Sequence, residues 1–289
     1  MGPSKKSSRE AEALRRLRVF RYVDFFETYI REEIERRLRE RYGDEWWEKG
    51  VPEEVRNSCN ELAEKGQSSE PLINFTNFRD YISIITNEEN WSDIFSSLFN
   101  NLSPQAVKTY LFGLNRLRGR TCHIRPLTDD DVQKAEVFVR ELCGSNEAAI
   151  GEFEKIREGK MLSYTEIRIV HPLVFHLNGW GTQEEILQEV GYISYDLRKV
   201  LELMKDAGLL ERATGAEIAS GIVQGAPLLQ ENRKQPSPKE RVYFLTTTRE
   251  DLLQENRKQP SPKERVYFLT TTREEILEKH PEIKAFKKR

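Results

Sequence analysis

The sequence predicts a mainly α-helical protein of two domains, a helical bundle followed by a smaller helical domain that carries a β-hairpin. Apolar residues recur at helical spacing through most of the first half, where no segment is typical of a strand. The second half adds capped helices and then two short segments that are typical of strands. At 289 residues, the chain is long enough for each half to bury its own core.

The overall charge does not indicate a partner. Charged residues make up 33% of the chain, yet the formal net charge is only −2, so a nucleic-acid surface would have to come from local clustering. Cys59, Cys122 and Cys143 are an odd number without a Cys-x-x-Cys pattern, which favours reduced thiols that act as small apolar fillers in a cytoplasmic protein. No apolar run has the length of a membrane span or the form of a signal peptide, so we expect a cytoplasmic protein without a membrane partner.

The N-terminal region predicts a long basic helix. Residues 1–17 form a disordered or helical tail, polar and disordered to about residue 9, and from there to Arg41 the pattern predicts one amphipathic helix or two joined near Phe20. Many arginines lie on this helix. A solvated face balanced by glutamates is the favoured interpretation, and a stripe that follows RNA is the alternative.

Shorter helices complete the predicted bundle, which ends near residue 144. They cover 53–65, 77–86 and 91–99, and Ser103 followed by Pro104 then begins a helix that delivers Arg118 near its end. Thr128 opens the last helix, through Leu142. We expect an up-and-down arrangement, and we expect residues 145–162 to be a partly helical linker.

The second domain, residues 163–289, has the element order of a winged helix. Capping-box patterns at Ser163 and Thr182 begin two helices, and a third runs from Tyr195 to Gly208. Residues 209–212 and 241–248 are predicted to be strands. Three helices followed by a hairpin resemble a winged-helix domain, a fold that many unrelated functions share.

An identical repeat occupies the predicted wing. Residues 228–250 recur without a change as residues 252–274, at a period of 24 residues. A solenoid would need at least three such units, so the identity indicates a recent duplication or an assembly artefact. One copy is enough to finish a wing. The second copy would add a hairpin, pair at the sheet edge or hang loose.

Arg118 and His123 are the candidate catalytic residues. Cutting RNA by internal transfer needs a proton-transfer group and a cation that stabilises the charge building on phosphorus, and an imidazole and a guanidinium supply these. The alternative is that both residues only cap the end of a helix, where cations are favourable.

The surrounding residues resemble a known family. Four segments carry the resemblance: the paired tryptophans before Val51-Pro52, the Phe-x4-Tyr-Ile run within 71–85, Trp91 within 90–95, and the Arg-x4-His segment within 114–128. In this order, residues 18–144 resemble a HEPN domain (higher eukaryotes and prokaryotes nucleotide-binding). The branch is the one found at the C-terminus of a yeast nuclear mRNA-surveillance endonuclease and in prokaryotic defence proteins. The tryptophans themselves favour the core over base stacking.

The resemblance implies a metal-independent endoribonuclease without a cofactor. His123 would move the proton, Arg118 would clamp the phosphate, and two domains would dimerise so that both pairs line one cleft. The chain departs from the family at Gly119, because a polar residue, most often Asn, usually follows the arginine.

Further residues are candidates for nucleic-acid contact. Arg120 and Arg125 would touch phosphate beside the Arg–His pair. The third helix of the second domain offers a nucleic-acid face that Asp196 and Glu202 interrupt, so protein contact is as good an interpretation; its members are Tyr192, Tyr195, Arg198, Lys199 and Lys205. His171 and His176 lack a further ligand at suitable spacing, which disfavours zinc.

The function that fits these observations is an endoribonuclease of the toxin or defence type. Its partners would be an RNA substrate, a second copy of the chain, and an antitoxin or defence protein. The winged helix would bind substrate, a partner or operator DNA. Two alternatives remain: an inactive HEPN scaffold joined to a DNA-binding regulator, which Gly119 favours, and a protein–protein adaptor.

Overall fold

The computed structural model describes residues 5–66, 68–99, 102–123, 125–176, 180–191, 195–213, 266–269 and 273–286. The chain divides into two compact units. One contains residues 14–164, and the other contains residues 1–13 together with 165–289. The described residues are mainly helical, as the sequence predicts. None of the described helices is long and apolar enough to cross a membrane.

The unit of residues 14–164 is a helical bundle. Two 3₁₀ turns, Gly43–Glu45 and Leu72–Phe75, and a π turn at Trp91–Phe95 interrupt the helices. The helices that contribute to this unit are α1 (Lys5–Tyr42), α2 (Trp46–Gly50), α3 (Glu53–Gly66), α4 (Phe78–Ile85), α5 (Glu88–Asn90), α6 (Pro104–Cys122), α7 (Asp129–Cys143), α8 (Glu147–Arg157) and the first residue of α9 (Tyr164–Phe175).

Helix α1 is the central element of the bundle. It is one continuous helix from Lys5, which is the first of the two predicted alternatives, and it begins before the predicted end of the polar tail. The predicted amphipathic pattern is wrong for its middle. Paired apolar residues such as Phe25 and Phe26 occupy successive positions, and 12 of the 16 residues from 19 to 34 are buried. Buried residues on several sides of a helix show that neighbouring elements enclose it.

Side-chain caps fix where the other helices begin. Asn77 and Asp80 form a capping box at α4, Ser103 caps α6 with Pro104 in its first turn, and Thr128 forms a capping box with Asp131 at α7. The predicted starts at Ser103 and Thr128 are therefore confirmed. The predicted helix 91–99 is wrong in extent, because regular structure ends at Phe95.

Helix α8 belongs to the bundle. It lies within the predicted linker 145–162, yet Phe153 is fully buried. The Phe153 ring lies 5.0 Å from the ring of Tyr22 and 5.6 Å from the ring of Phe25, both on α1. Edge-on and tilted aromatic contacts of this kind add to the free energy of apolar burial. The linker is therefore a packed element.

The other unit combines short helices with a small sheet. After α9 come β1 (Trp180–Thr182), α10 (Gln183–Val190), α11 (Leu197–Asp206), β2 (Leu210–Ala213), β3 (Val266–Leu269), α12 (Arg273–Lys279) and α13 (Glu282–Ala285). The strands form one antiparallel sheet in the order β1-β3-β2. Helix α11 buries the predicted Leu197, Val200, Leu201 and Met204, and Gly208 follows it at φ +77°.

The central strand comes from the second copy of the repeat. Phe268 of β3 is aligned with Trp180 on one side and Glu211 on the other. The predicted strand 241–248, which is the first copy, lies outside the described residues. The sequence left three roles open for the second copy, an added hairpin, pairing at the sheet edge or a loose segment; its residues 266–269 instead form the central strand of the described sheet.

Candidate active site at the end of helix α6

Arg118 connects the end of α6 to α1. Four apolar residues on one face of α6, among them Leu114 and Leu117, are buried and fix the rotation of the helix. In this orientation the Nε atom of Arg118 lies 3.5 Å from a carboxylate oxygen of Glu27, whose side chain is fully buried. The Arg118 side chain keeps 21% of its surface exposed. It therefore extends from the interior of the bundle to the surface.

His123 lies at the exposed end of the same helix. It is the C-cap residue, and its backbone N–H donates to the carbonyl oxygens of Gly119 and Thr121. Its side chain is exposed. An α-helix turns by about 100° per residue, so positions 118 and 123 differ by about 140° around the helix axis. The two side chains thus leave α6 in different directions, one toward the bundle and one toward solvent.

Arg120 holds the segment that follows His123. Its guanidinium lies 2.5 Å from a carboxylate oxygen of Asp131 and also donates to the carbonyl oxygen of Pro126. Burial alone would raise the pKa of Asp131, but hydrogen bonds from Thr128 and the charge of Arg120 outweigh it, so the pKa is lowered. The sequence proposed Arg120 for phosphate contact; its observed contacts are structural.

A second arginine anchors the same segment from α1. The Nε atom of Arg15 donates to the backbone oxygen of Leu127 at 2.9 Å, and its guanidinium lies 3.5 Å from Asp129. Leu127 itself is buried. The segment between α6 and α7 is therefore fixed at its far end, while Arg125, also proposed for phosphate contact, has an exposed side chain.

The candidate nucleic-acid-binding residues of the other unit differ in exposure and in their ion-pair partners. The Tyr195 side chain is buried, which is at odds with a place on a nucleic-acid face, and Tyr192 lies outside the described residues. Arg198 is exposed. Lys199 lies 3.7 Å from Asp196, and Lys205 lies 2.9 Å from Glu202 and 3.0 Å from Asp206. The acidic residues that interrupt the face also neutralise its lysines.

His171 of α9 and His176, which follows the end of this helix, form a small polar cluster. The rings of His171 and His176 lie 5.3 Å apart, and Nδ1 of His176 lies 2.6 Å from Glu189. Burial, and then the neighbouring His176, lower the pKa of His171. In the part of the chain that the structure describes, no group of three or more His, Cys, Asp and Glu side chains is placed to hold a metal ion.

Glutamates and arginines pair along the basic part of α1. Arg36 and Arg37 contact Glu33 at 2.7 and 2.9 Å, and Arg39 contacts Glu35 at 2.8 Å. These pairs follow the spacings i, i+3 and i, i+4. They support the interpretation of this helix as a charge-balanced face.

Two of the three cysteines are buried in the bundle. Burial raises the pKa of the Cys59 and Cys143 thiols to about 12, so neither is a reactive thiolate at neutral pH. Cys122, next to His123, is partly exposed. Trp46 is buried as expected, with the Arg39 guanidinium 5.2 Å from its ring centre.

Sequence reasoning missed Glu27 and Asp131 as partners of the site arginines. A signal for Glu27 exists in the chain, because it follows Phe25-Phe26 inside a segment whose neighbours are apolar on all sides. A carboxylate in such a place needs a cationic partner. Asp131 was visible as an N3 residue after Thr128, but its contact with Arg120 depends on how α6 and α7 pack.

Comparison with known proteins gives a match only within the unit of residues 14–164. No curated protein and no solved structure matches the chain. Residues 21–148 match the family model described as Swt1-like HEPN. This segment runs from α1 to the beginning of α8, agrees with the 18–144 resemblance and contains both Arg118 and His123. Residues 21–148 are therefore similar to the Swt1-like HEPN family, and the match supports a HEPN domain in this part of the chain.

Proposed function

We propose that the protein is a metal-independent endoribonuclease of the toxin or defence type. The HEPN match over residues 21–148 supports this class, since HEPN domains are often ribonucleases of such systems. The observation that carries the proposal is that Arg118 and His123 both lie near the C-terminal end of α6 within the matched segment, with the imidazole exposed and the guanidinium side chain partly exposed.

The proposed reaction is an internal transfer at one phosphodiester. His123 takes the proton of the 2′-hydroxyl, and the 2′-oxygen forms a bond to phosphorus while the bond to the 5′-oxygen breaks. The guanidinium of Arg118 stabilises the charge that builds on the phosphate oxygens. The products are a 2′,3′-cyclic phosphate and a 5′-hydroxyl, and the leaving oxygen must receive a proton.

A second copy of the chain is the proposed source of that proton. The family resemblance implies a dimer in which two Arg–His pairs share one cleft, so that the second His123, protonated, acts as the acid. The exposed position of His123 at the helix end is compatible with such a cleft. The backbone that follows is anchored at Leu127 by Arg15 and at Pro126 by Arg120, which supports a defined course of the chain beside the site.

For the other unit we propose a winged-helix-like module that binds substrate, operator DNA or a partner. The order helix, strand, helix, helix, strand, strand with one antiparallel sheet supports this proposal. Arg198, exposed on α11, is the side chain best placed for a phosphate. Because acidic residues pair with Lys199 and Lys205, a protein partner is a second candidate for this surface.

The experiment is cleavage of end-labelled RNA by the full chain in EDTA. Structured and unstructured RNAs are compared for wild type, His123→Ala and His176→Ala. His176 is a matched control, since half of its side chain is exposed and it lies outside the matched segment. Cyclic-phosphate ends that disappear only in His123→Ala support the proposal. Absence of cleavage, or equal cleavage by all three proteins, contradicts it.

Gly119 favours a second candidate, an inactive HEPN scaffold joined to a DNA-binding regulator. The family usually has a polar residue at this position, and a glycine supplies no side chain to the site. Binding separates this candidate from the nuclease and from an adaptor. Full-length His123→Ala is tested for DNA and RNA binding with and without Arg198→Ala, with Lys199→Ala as the control whose ammonium is already paired. Binding of DNA alone favours the regulator, and binding of neither favours the adaptor.

A further inference from the structure

A buried carboxylate lies beneath the proposed phosphate-binding arginine. Glu27 is on α1 and Arg118 is on α6, and their Oε2 and Nε atoms are 3.5 Å apart. The Glu27 side chain has no exposed surface, whereas Arg118 keeps 21% of its own. Glu27 therefore cannot reach a substrate itself, and any influence it has on the site acts through Arg118.

The surroundings of Glu27 explain why it must be paired. The hydroxyl of Tyr81 on α4 is buried and donates to the backbone oxygen of Thr76 at 3.2 Å. Burial raises the pKa of Tyr81, and the charges of Arg31, Glu27 and Arg118 all act on it. The phenol therefore stays neutral, its hydroxyl donates to Thr76, and it supplies no positive charge to the carboxylate. An unpaired carboxylate in such an interior is strongly unfavourable, so its ion pair with a guanidinium is a fixed part of the bundle.

We propose that Glu27 is the positioning residue of Arg118. A guanidinium is planar and rigid, so an ion pair with a buried carboxylate restricts the orientation of the whole group. Anchoring in this way presets the cation at the surface end of the side chain before a phosphate arrives, which removes an ordering cost from binding. This inference rests on the proposed function for the identity of the anion, an RNA phosphate.

A merely structural ion pair is the alternative, and the chain offers a control for it. Glu33 lies on the same helix, has a largely buried side chain, and contacts Arg36 at 2.7 Å and Arg37 at 2.9 Å. Glu33→Gln removes a carboxylate charge from a comparable environment away from Arg118. The loss of stability that Glu33→Gln causes is therefore the loss expected when a largely buried ion pair is removed and nothing else changes.

The first test compares cleavage by the full-length wild type, Glu27→Gln, Glu27→Asp and Glu33→Gln. We expect Glu27→Gln to lower kcat/KM by about 100-fold, with a lower kcat and a higher KM, since a slightly misplaced group loses about this much. Glu27→Asp should recover part of the rate, and Glu33→Gln should keep it. Arg118→Lys should cause a smaller loss in the Glu27→Gln background than in wild type, because the effects of residues that act as a unit are not additive. Equal rates for Glu27→Gln and Glu33→Gln overturn the proposal.

The second test does not depend on cleavage. Binding is measured to 2′-O-methyl RNA, which lacks the attacking hydroxyl, and the exchange of the Arg118 Nε proton is followed by ¹⁵N NMR, with the signal assigned by its loss in Arg118→Lys. We expect Glu27→Gln, but not Glu33→Gln, to weaken binding by about tenfold and to speed the exchange. If wild type never cleaves RNA but these two effects occur, the nuclease proposal fails and the positioning role stands. If Glu27→Gln matches Glu33→Gln in both, the positioning role fails.

Discussion

The Arg120 guanidinium lies 2.5 Å from the Asp131 carboxylate and also binds the backbone oxygen of Pro126. One side chain of α6 thereby holds both the start of α7 and the segment that begins at His123. Side-chain exposure is 24% for Arg120 and 8% for Asp131, so solvent screens the pair only in part. The contact therefore links the end of α6 to the start of α7.

We predict that Arg120→Ala destabilises the bundle. It removes a charged hydrogen bond to each of two partners, and one such bond contributes about 1.5–3 kcal/mol to the free energy of unfolding. Arg125→Ala is the control, since that side chain is exposed and surface changes stay within about 0.5 kcal/mol. Urea denaturation of the two variants measures the difference, and equal midpoints would show that the anchor is not needed.

We predict that the Asp131 carboxylate makes the free energy of unfolding depend on pH in the acid range. The pKa of Asp131 is lowered in the folded protein. The stabilising contribution of its carboxylate is therefore fully present above the unfolded pKa of about 3.9, and it is lost as the pH falls through the lower folded pKa. Asp131→Asn should therefore be less stable than wild type at neutral pH, and the gap should close at acid pH. Asp130→Asn, next to it and exposed, should show little gap at any pH. A gap for Asp131→Asn that persists unchanged in acid would contradict this assignment.

We predict that replacing Gly119, which lies within the candidate site, by alanine stabilises the protein. A Cβ atom at Gly119 would have no neighbour within 4 Å, and glycine within a helix is less favourable than alanine by about 0.5–1 kcal/mol. Gly119→Ala should raise the melting temperature, and Gly119→Asn should fold and supply the polar residue usual in the family. Gly113→Ala on the same helix is the control, because its Cβ would overlap the Phe138 ring and should lower stability. A fall in stability for Gly119→Ala would contradict the prediction.

The helix starts were predictable because they are local. Ser103 and Thr128 cap their helices through atoms three residues away, so a short stretch of sequence contains the whole interaction. The burial of α1 was less predictable from the sequence. A helical pattern shows that a face is apolar, but whether elements pack around the other faces depends on the rest of the fold. Phe153 shows the same limit, because a linker and a packed helix differ only in the partner that α1 provides.

The site was predictable in its members and not in its connections. The spacing of Arg118 and His123 is visible in the chain, but Arg118 meets Glu27 across 91 positions of sequence, a contact that only the packing of α6 on α1 creates. The sequence gives no reason to distinguish Arg120 from Arg125 as candidates for phosphate contact. The structure separates them, because one faces Asp131 and the other faces solvent.

The repeat permits a comparison between two identical sequences in one chain. Because β3 pairs on both sides, each of its backbone N–H groups faces a neighbouring strand, and proline within it removes a ladder hydrogen bond. We predict that Phe268→Pro, in the second copy, removes the protection of amides in β1 and β2 from hydrogen exchange. Phe244→Pro makes the same change in the same local sequence of the first copy, and it should leave that protection intact.

The double variant decides what these two results mean. If β3 is formed only by the second copy, Phe244→Pro with Phe268→Pro should match Phe268→Pro alone. If each single variant keeps its protection and only the double variant loses it, then either copy can form the central strand, and the assignment of β3 to residues 266–269 alone is wrong. Since the two segments are identical from residue 228 to 250 and from 252 to 274, local propensity cannot favour one. Any preference must come from flanking residues, and buried Ile276 and Ile283 follow only the second copy.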